Sequence, residues 1–225
     1  YREGFGATNR APYTINNPKI YFCGDIMYDN SLHFSSVAAR RSDILTKLQL
    51  ENKSFSLVTM HRPSNVDDPA VLAQLFSTFH TLAEEEDTTL VIPLHPRTMK
   101  LYDTQIDRAV FDKVRKSSRL RIIPAVSFLE MILLEKSAEI IMTDSGGVQK
   151  EAYYFHRPCV IMLEETPWVE LIESGTALLA GSDGKKIRDA YQKLRKQSAG
   201  LQYPPIFGDG KAAGFICEKI IENFG

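Results

Sequence analysis

The chain has 225 residues, 44% apolar and 24% charged, the make-up of an ordinary globular protein with one large domain or two small ones. A net charge of −1 gives no electrostatic handle for nucleic acid or an anionic membrane surface, no apolar run is long enough to span a bilayer, and the N-terminal stretch lacks a signal-peptide pattern. Three scattered cysteines (Cys23, Cys159, Cys217) are too few for a disulfide framework or a zinc site and fit a reducing, cytoplasmic compartment.

Residues 1–18, rich in Gly, Asn and Pro, read as a linker, and the opening Tyr1-Arg2-Glu3-Gly4, without a methionine, reads as the start of a fragment. Lys19 to Cys23 reads as a short strand ending at Gly24-Asp25, followed by a helix over Ser35 to Leu48 with Ile44, Leu45 and Leu48 inward. Phe55 to Met60 is a second strand, stopped by His61-Arg62-Pro63; Pro69 then opens a helix to about Glu85. Leu90 to Leu94 is a third strand, ending in His95-Pro96-Arg97-Thr98, and a mostly polar helical stretch runs to about Lys116. Leu120 to Ile123 is a fourth strand. Ser127 and Glu130 then form a capping box for a helix through Leu134.

Ile140 to Met142 is a short buried strand that breaks at Asp144-Ser145-Gly146-Gly147 and resumes as a helix with Val148, Ala152 and Phe155 on one face. A strand turning through small residues into a helix leaves backbone N–H groups unpaired, and with the helix dipole these suit an anion such as phosphate. Ser145 adds a hydroxyl, the glycines admit a ligand close to the backbone, and Glu151 lies about a turn and a half further on, within reach of an attached sugar. The same residues also fit a plain turn capped by Ser145 or Asp144. Further strands at Cys159 to Met162 and Thr176 to Ala180, a short helix with Leu171 and Ile172, a helix over Ile187 to Lys196, and a last helix with Ala213, Ile216, Ile220 and Ile221 inward complete the chain.

Alternating helices with near-continuously apolar strands define a Rossmann-like, doubly wound parallel α/β sheet. Ligands bind such sheets outside the carboxyl ends of the strands. Gly24-Asp25, His61-Arg62, His95-Pro96-Arg97, Asp144 to Gly147 and the Glu164–Trp168 loop all fall at such ends. His61 fits either a general acid or base, because imidazole changes charge near neutrality, or a helix cap. His95 fits a ligand contact or a loop residue fixed by a backbone hydrogen bond. Arg62 and Arg97 carry forked donors suited to phosphate, or are solvated surface. His33, His80 and His156 read as structural. No spacing suggests a metal, and neither Walker A nor G-x-G-x-x-G is present.

Five segments taken together match a known family: Gly24-Asp25-Ile26-Met27-Tyr28-Asp29, Thr59-Met60-His61-Arg62, Pro93-Leu94-His95-Pro96-Arg97, Thr143 to Glu151, and Gly208-Asp209-Gly210-Lys211-Ala212. The chain resembles the C-terminal domain of the non-hydrolysing UDP-N-acetylglucosamine 2-epimerases. The resemblance implies one half of a glycosyltransferase-B-type two-domain fold, with residues 19–225 as the UDP-binding domain and 1–18 crossing from a missing N-terminal domain. It implies an isomerase that inverts C2 of a UDP-linked 2-acetamido sugar by anti elimination and re-addition of UDP, with no cofactor or metal, in a full-length homodimer. His61 would assist chemistry at the sugar–phosphate end. Ser145 and Gly146 would hold the diphosphate, Glu151 the ribose and Val126 the uracil. Arg62 and His95 would lie near a second, activating UDP-sugar. Trp168 stands where the family arginine would contact substrate, which is more like the branch acting on UDP-2,3-diacetamido-glucuronic acid. The acidic residues thought to carry proton transfer belong to the absent domain, so the chain alone is expected to be inactive. Two alternatives stay open: a glycosyltransferase half-domain, and a non-catalytic UDP-sugar-binding domain.

Overall fold

The computed structural model describes residues 19–225, and the expected linker at 1–18 lies outside them. Its elements in chain order are α1 (Ile26–Arg41), α2 (Ile44–Lys47), β1 (Phe55–Thr59), α3 (Pro63–Val66), α4 (Pro69–Glu85), β2 (Thr89–Leu94), α5 (Pro96–Gln105), α6 (Arg108–Lys116) and β3 (Leu120–Pro124). There follow α7 (Phe128–Ser137), β4 (Ile141–Thr143), α8 (Gly146–Tyr154), β5 (Cys159–Ile161), α9 (Val169–Glu173), β6 (Ala177–Leu179), α10 (Gly184–Gln197) and α11 (Ala212–Phe224). The six strands form one sheet in the order β3-β2-β1-β4-β5-β6, every pair parallel.

Alternate strand residues feed two cores, which is why the strands read as unbroken apolar runs. Val58, Ile92, Met142 and Val160 pack against α4 and α10, while Leu57, Val91, Ile141 and Ile161 pack with residues of α7, α8 and α9. The expected doubly wound sheet is the observed one. Its strand order reverses between β1 and β4, so the crevice for a ligand opens where the loops after those two strands diverge.

Three local expectations are corrected. Lys19 to Cys23 is not a strand: Ile20, Tyr21 and Phe22 are exposed, and the segment lies along α11 instead of the sheet, with Tyr21 edge-on to Phe215 and Lys19 bonded to Asn223. The helix expected from Ser35 begins nine residues earlier, capped by Asp25, and ends at Arg41 before the separate turn α2. Its buried face is Ser31, Ser35 and Ala38, small residues against α7 that give no apolar periodicity. The last helix does not turn Ile220 and Ile221 inward, since both are exposed and only Ala212 is buried. α8 is also more deeply set than one apolar face implies, with Gln149, Lys150, Ala152, Tyr153 and Tyr154 all buried.

A close backbone approach fixes the start of α1. Gly24 (φ 82°) and Gly208 (φ 92°) lie back to back, so that a Cβ on Gly208 would come within 2.9 Å of Gly24 Cα. Asp25 N–H donates to Phe207 O at 2.9 Å across the same contact. Only glycine fits such a crossing in the left-handed region.

Candidate functional site

The site is built on Asp144, at the end of β4, whose side chain has no solvent exposure. Its carboxylate accepts from the backbone N–H groups of His61 (3.0 Å) and Arg62 (2.9 Å) and from Asn65 Nδ2 (2.9 Å). Asn65 also donates to Met162 O at 3.0 Å, so one amide ties the loops after β1, β4 and β5 together. Beneath this, the hydroxyls of Thr59 and Thr143 lie 2.6 Å apart, and Ser145 N–H donates to Thr143 Oγ1 at 2.9 Å. The two loops at the switch point are thereby held as one unit.

His61 Nδ1 lies 3.2 Å from Asp144 Oδ1, with the ring about half exposed. A buried carboxylate beside Nδ1 accepts from that N–H and fixes the orientation of the ring, leaving Nε2 to face a ligand. His61 is not a cap: Arg62 takes the cap position of α3, without a side-chain bond. Sequence reasoning quoted Asp144 but assigned it no part in orienting His61, and missed Asn65 altogether. The signal for Asp144 was only its place between an apolar strand and a small-residue turn.

Ser145 is the N-cap of α8, its Oγ accepting from Val148 N–H at 3.5 Å. Helix geometry leaves the amides of Gly146 and Gly147 without an intrahelical acceptor. Protein packing does not demand these glycines. A Cβ on Gly147 would meet Met27 Cε at 3.8 Å, and one on Gly146 would meet Trp168 Nε1 at 3.5 Å, both ordinary contacts. What glycine provides is an uncovered backbone for an anion.

The Trp168 loop docks on the same helix. Trp168 Nε1 donates to Gly146 O at 2.9 Å, and Thr166 Oγ1 donates to Gln149 Oε1 at 2.6 Å. Lys150 Nζ sits 4.3 Å from the Trp168 ring centre and 2.6 Å from Asp25 Oδ2, which also accepts from Tyr154 OH at 2.9 Å. Burial pulls the Asp25 carboxyl upward, but Lys150, the Met27 amide and Tyr154 outweigh it and hold it below its ordinary value. Trp168 is thus one corner of a cation–aromatic–carboxylate cluster that joins the starts of α1 and α8. Sequence reading set Gly24-Asp25 and the Trp168 loop on the same rim but did not join them, and it gave Lys150 no part.

The remaining candidates are distributed along the rim. Glu151 is largely buried on α8, and burial raises its carboxyl pKa, with Lys150 partly offsetting this. Val126 is half-buried between β3 and α7. His95 is exposed and caps α5, its Nδ1 accepting from Arg97 N–H at 3.3 Å; Arg62 is exposed, with Nε donating to Asp144 O at 3.3 Å. Arg97 is paired with Asp67 at 2.6 Å. A cavity of about 820 Å³ lies between residues 22–24 and the 208–215 segment. A second cavity, of about 510 Å³, is lined by Asp25, Lys150 and Trp168 together with Phe207. Among the described residues no group of His, Cys, Asp or Glu is placed to hold a metal ion, and no helix is long and apolar enough to cross a membrane.

A doubly wound parallel sheet with a capped, glycine-bearing helix start at its switch point defines a nucleotide-type α/β domain. The chain belongs to the UDP-N-acetylglucosamine 2-epimerase family, whose profile matches residues 11–221. It is 36% identical over 205 residues to a UDP-N-acetylglucosamine 2-epimerase homolog of Methanococcus maripaludis, covering 91% of this chain and 55% of that protein. It is 33% identical to the UDP-2,3-diacetamido-2,3-dideoxy-D-glucuronate 2-epimerase of Pseudomonas aeruginosa, over 90% of this chain and 52% of that one. Its fold matches the Methanocaldococcus jannaschii UDP-GlcNAc 2-epimerase solved in complex with UDP-GlcNAc and UDP, with a TM-score of 0.78 at 30% identity, over 93% of this chain and 56% of that one. The chain spans about half the length of the curated relatives it matches.

Proposed function

We propose that the chain is the UDP-binding half of a non-hydrolysing UDP-N-acetyl-sugar 2-epimerase. The observation that carries this is the convergence, at the switch point, of the open α8 start with His61 backed by the buried Asp144. The Ser145 hydroxyl and Gly146 amide hold the diphosphate, Glu151 accepts from the ribose hydroxyls, and Val126 lines the uracil through its backbone. In the forward step a base removes the C2 proton and the C1–O bond breaks, its electron pair leaving with UDP to give the glycal. His61 eases that departure by giving its Nε2 proton to the phosphate oxygen, and the helix start stabilises the anion. Reprotonation at C2 from the opposite face and re-addition of UDP complete the inversion.

The group that moves the C2 proton belongs, on this reading, to a second domain closing over the rim, and the chain alone binds UDP weakly without turnover. Trp168 and the likeness to the Pseudomonas relative support a UDP-2,3-diacetamido-uronic acid as substrate. Arg62 and His95, both exposed on the rim, suit a second UDP-sugar. The full-length protein is a cytoplasmic homodimer on the same reading. Calorimetric titration of the chain with UDP tests it. Ser145→Ala and Glu151→Ala should each weaken binding by about tenfold, the worth of a hydrogen bond to a charged group. Equal affinity in both variants and the unaltered chain, or epimerisation by the chain by itself, would overturn it.

A further inference from the structure

Trp168 has a single hydrogen-bond donor, and it is spent inside the protein. Its indole Nε1–H donates to Gly146 O at 2.9 Å, which leaves nothing to offer a ligand. The ring is committed as well. Lys150 Nζ lies 4.3 Å from its centre, and Phe207 stands edge-on with ring centres 6.5 Å apart. Such an indole is a poor substitute for a guanidinium that reaches a substrate. What it holds is the first peptide of α8.

That peptide is the one most in need of holding. Gly146 and Gly147 open α8, and two successive glycines have the least restrained backbone a chain can offer. The carbonyl of Gly146 and the N–H of Gly147 belong to one planar trans peptide. In a helix the carbonyl points down the axis and the N–H points out of the start, so fixing the first aims the second. A hydrogen bond accepted by the carbonyl also polarises the unit and makes its N–H a stronger donor. The loop that delivers the indole is itself fastened to α8. Thr166 Oγ1 donates to Gln149 Oε1 at 2.6 Å and accepts from Trp168 N–H at 3.2 Å. Gln149 has no solvent exposure, so this anchor is shielded from competing water. The backbone of Trp168 is thus fixed at Gln149 while its side chain grips Gly146.

We propose that Trp168 is a positioning residue for the anion-binding start of α8: clamped through Thr166, its indole holds the Gly146–Gly147 peptide so that the Gly147 amide faces the phosphate of a nucleoside diphosphate. In this role Trp168 donates to no ligand. It sets how firmly phosphate is held and leaves the nucleoside untouched. This rests on the diphosphate assignment at the α8 start, and the experiment separates the two.

Two substitutions cut the clamp at different points. W168F removes the indole N–H and keeps a ring for Lys150, whereas T166V removes the fastening and leaves Trp168 in place. The unaltered chain, both variants and the double variant are titrated with UDP and with uridine, and the Gly146 carbonyl carbon resonance is recorded in each without ligand. W168F should weaken UDP about fivefold and T166V about threefold, with uridine affinity held within about 1.5-fold in both. The double variant should match W168F within about twofold, because both changes break one chain of contacts. The Gly146 resonance should move upfield in both single variants as its oxygen loses the indole bond. Parallel losses of UDP and uridine would mark general loosening and overturn the positioning role. So would a UDP loss in W168F that T166V does not share, the sign of a ligand touching the indole itself. Single losses that multiply in the double variant, or a Gly146 resonance that neither variant moves, would overturn it too. If the unaltered chain binds neither UDP nor uridine, the diphosphate assignment falls and the phosphate role with it, while the resonance still decides whether the indole holds the peptide.

Discussion

Asp144 and Lys150 show how single side chains hold the site together. Asp144 takes three donors from the β1 loop, so Asp144→Ala leaves two backbone amides without an acceptor and Asn65 with Met162 O alone. The expected loss is about 3 kcal/mol, read as a lower urea midpoint, and His61 loses the partner for its Nδ1. Lys150→Met leaves Asp25 partly buried beside Tyr154 and removes the cation from the Trp168 face, costing roughly 2 kcal/mol. The sign of its pH dependence follows from Asp25, whose folded carboxyl titrates below its ordinary value of 3.8. The pair stabilises fully above that value and loses its contribution as pH falls through the lower folded one. Thermal midpoints of K150M and the unaltered chain should therefore differ most near pH 7 and converge below about pH 4. A gap that persisted in acid would place the effect in packing alone.

Among the elements, legibility followed how loudly each buried face is written in side chains. The α7 capping box was readable from Ser127 and Glu130 and is present, with Ser127 N–H donating to Glu130 Oε2 at 2.8 Å. Ser127→Ala should cost about 1 kcal/mol, seen as a fall of a few degrees in the calorimetric midpoint. The first half of α1 was not readable, because a helix that packs through Ser31, Ser35 and Ala38 shows composition where others show periodicity. The 19–23 segment failed in the opposite way. Ile20, Tyr21 and Phe22 have strand-like side chains, but local pattern cannot say whether a sheet edge is available to receive them. Ser145 and Glu151 were legible as parts of a glycine turn and its helix. The Asp25–Lys150–Trp168 cluster was not, since its members stand 125 and 18 residues apart in sequence and meet only through the packing of α1 on α8.

At the scale of the molecule, the switch point has a consequence for how the protein comes into being. β1 must meet β4 in register, Leu57 beside Ile141, across two intervening strands and five helices. The hydroxyls of Thr59 and Thr143, 84 residues apart, close that seam directly beneath His61 and Asp144. Contacts so distant in the chain are costly in loop entropy and arrive late in assembly. Helices and the β1–β2–β3 half can form before the seam closes, whereas the site does not exist until it has. Binding competence is therefore a certificate of completed folding: during refolding, the helical signal should return ahead of any capacity to hold nucleotide, and a chain arrested midway would look largely native yet be blind to its ligand.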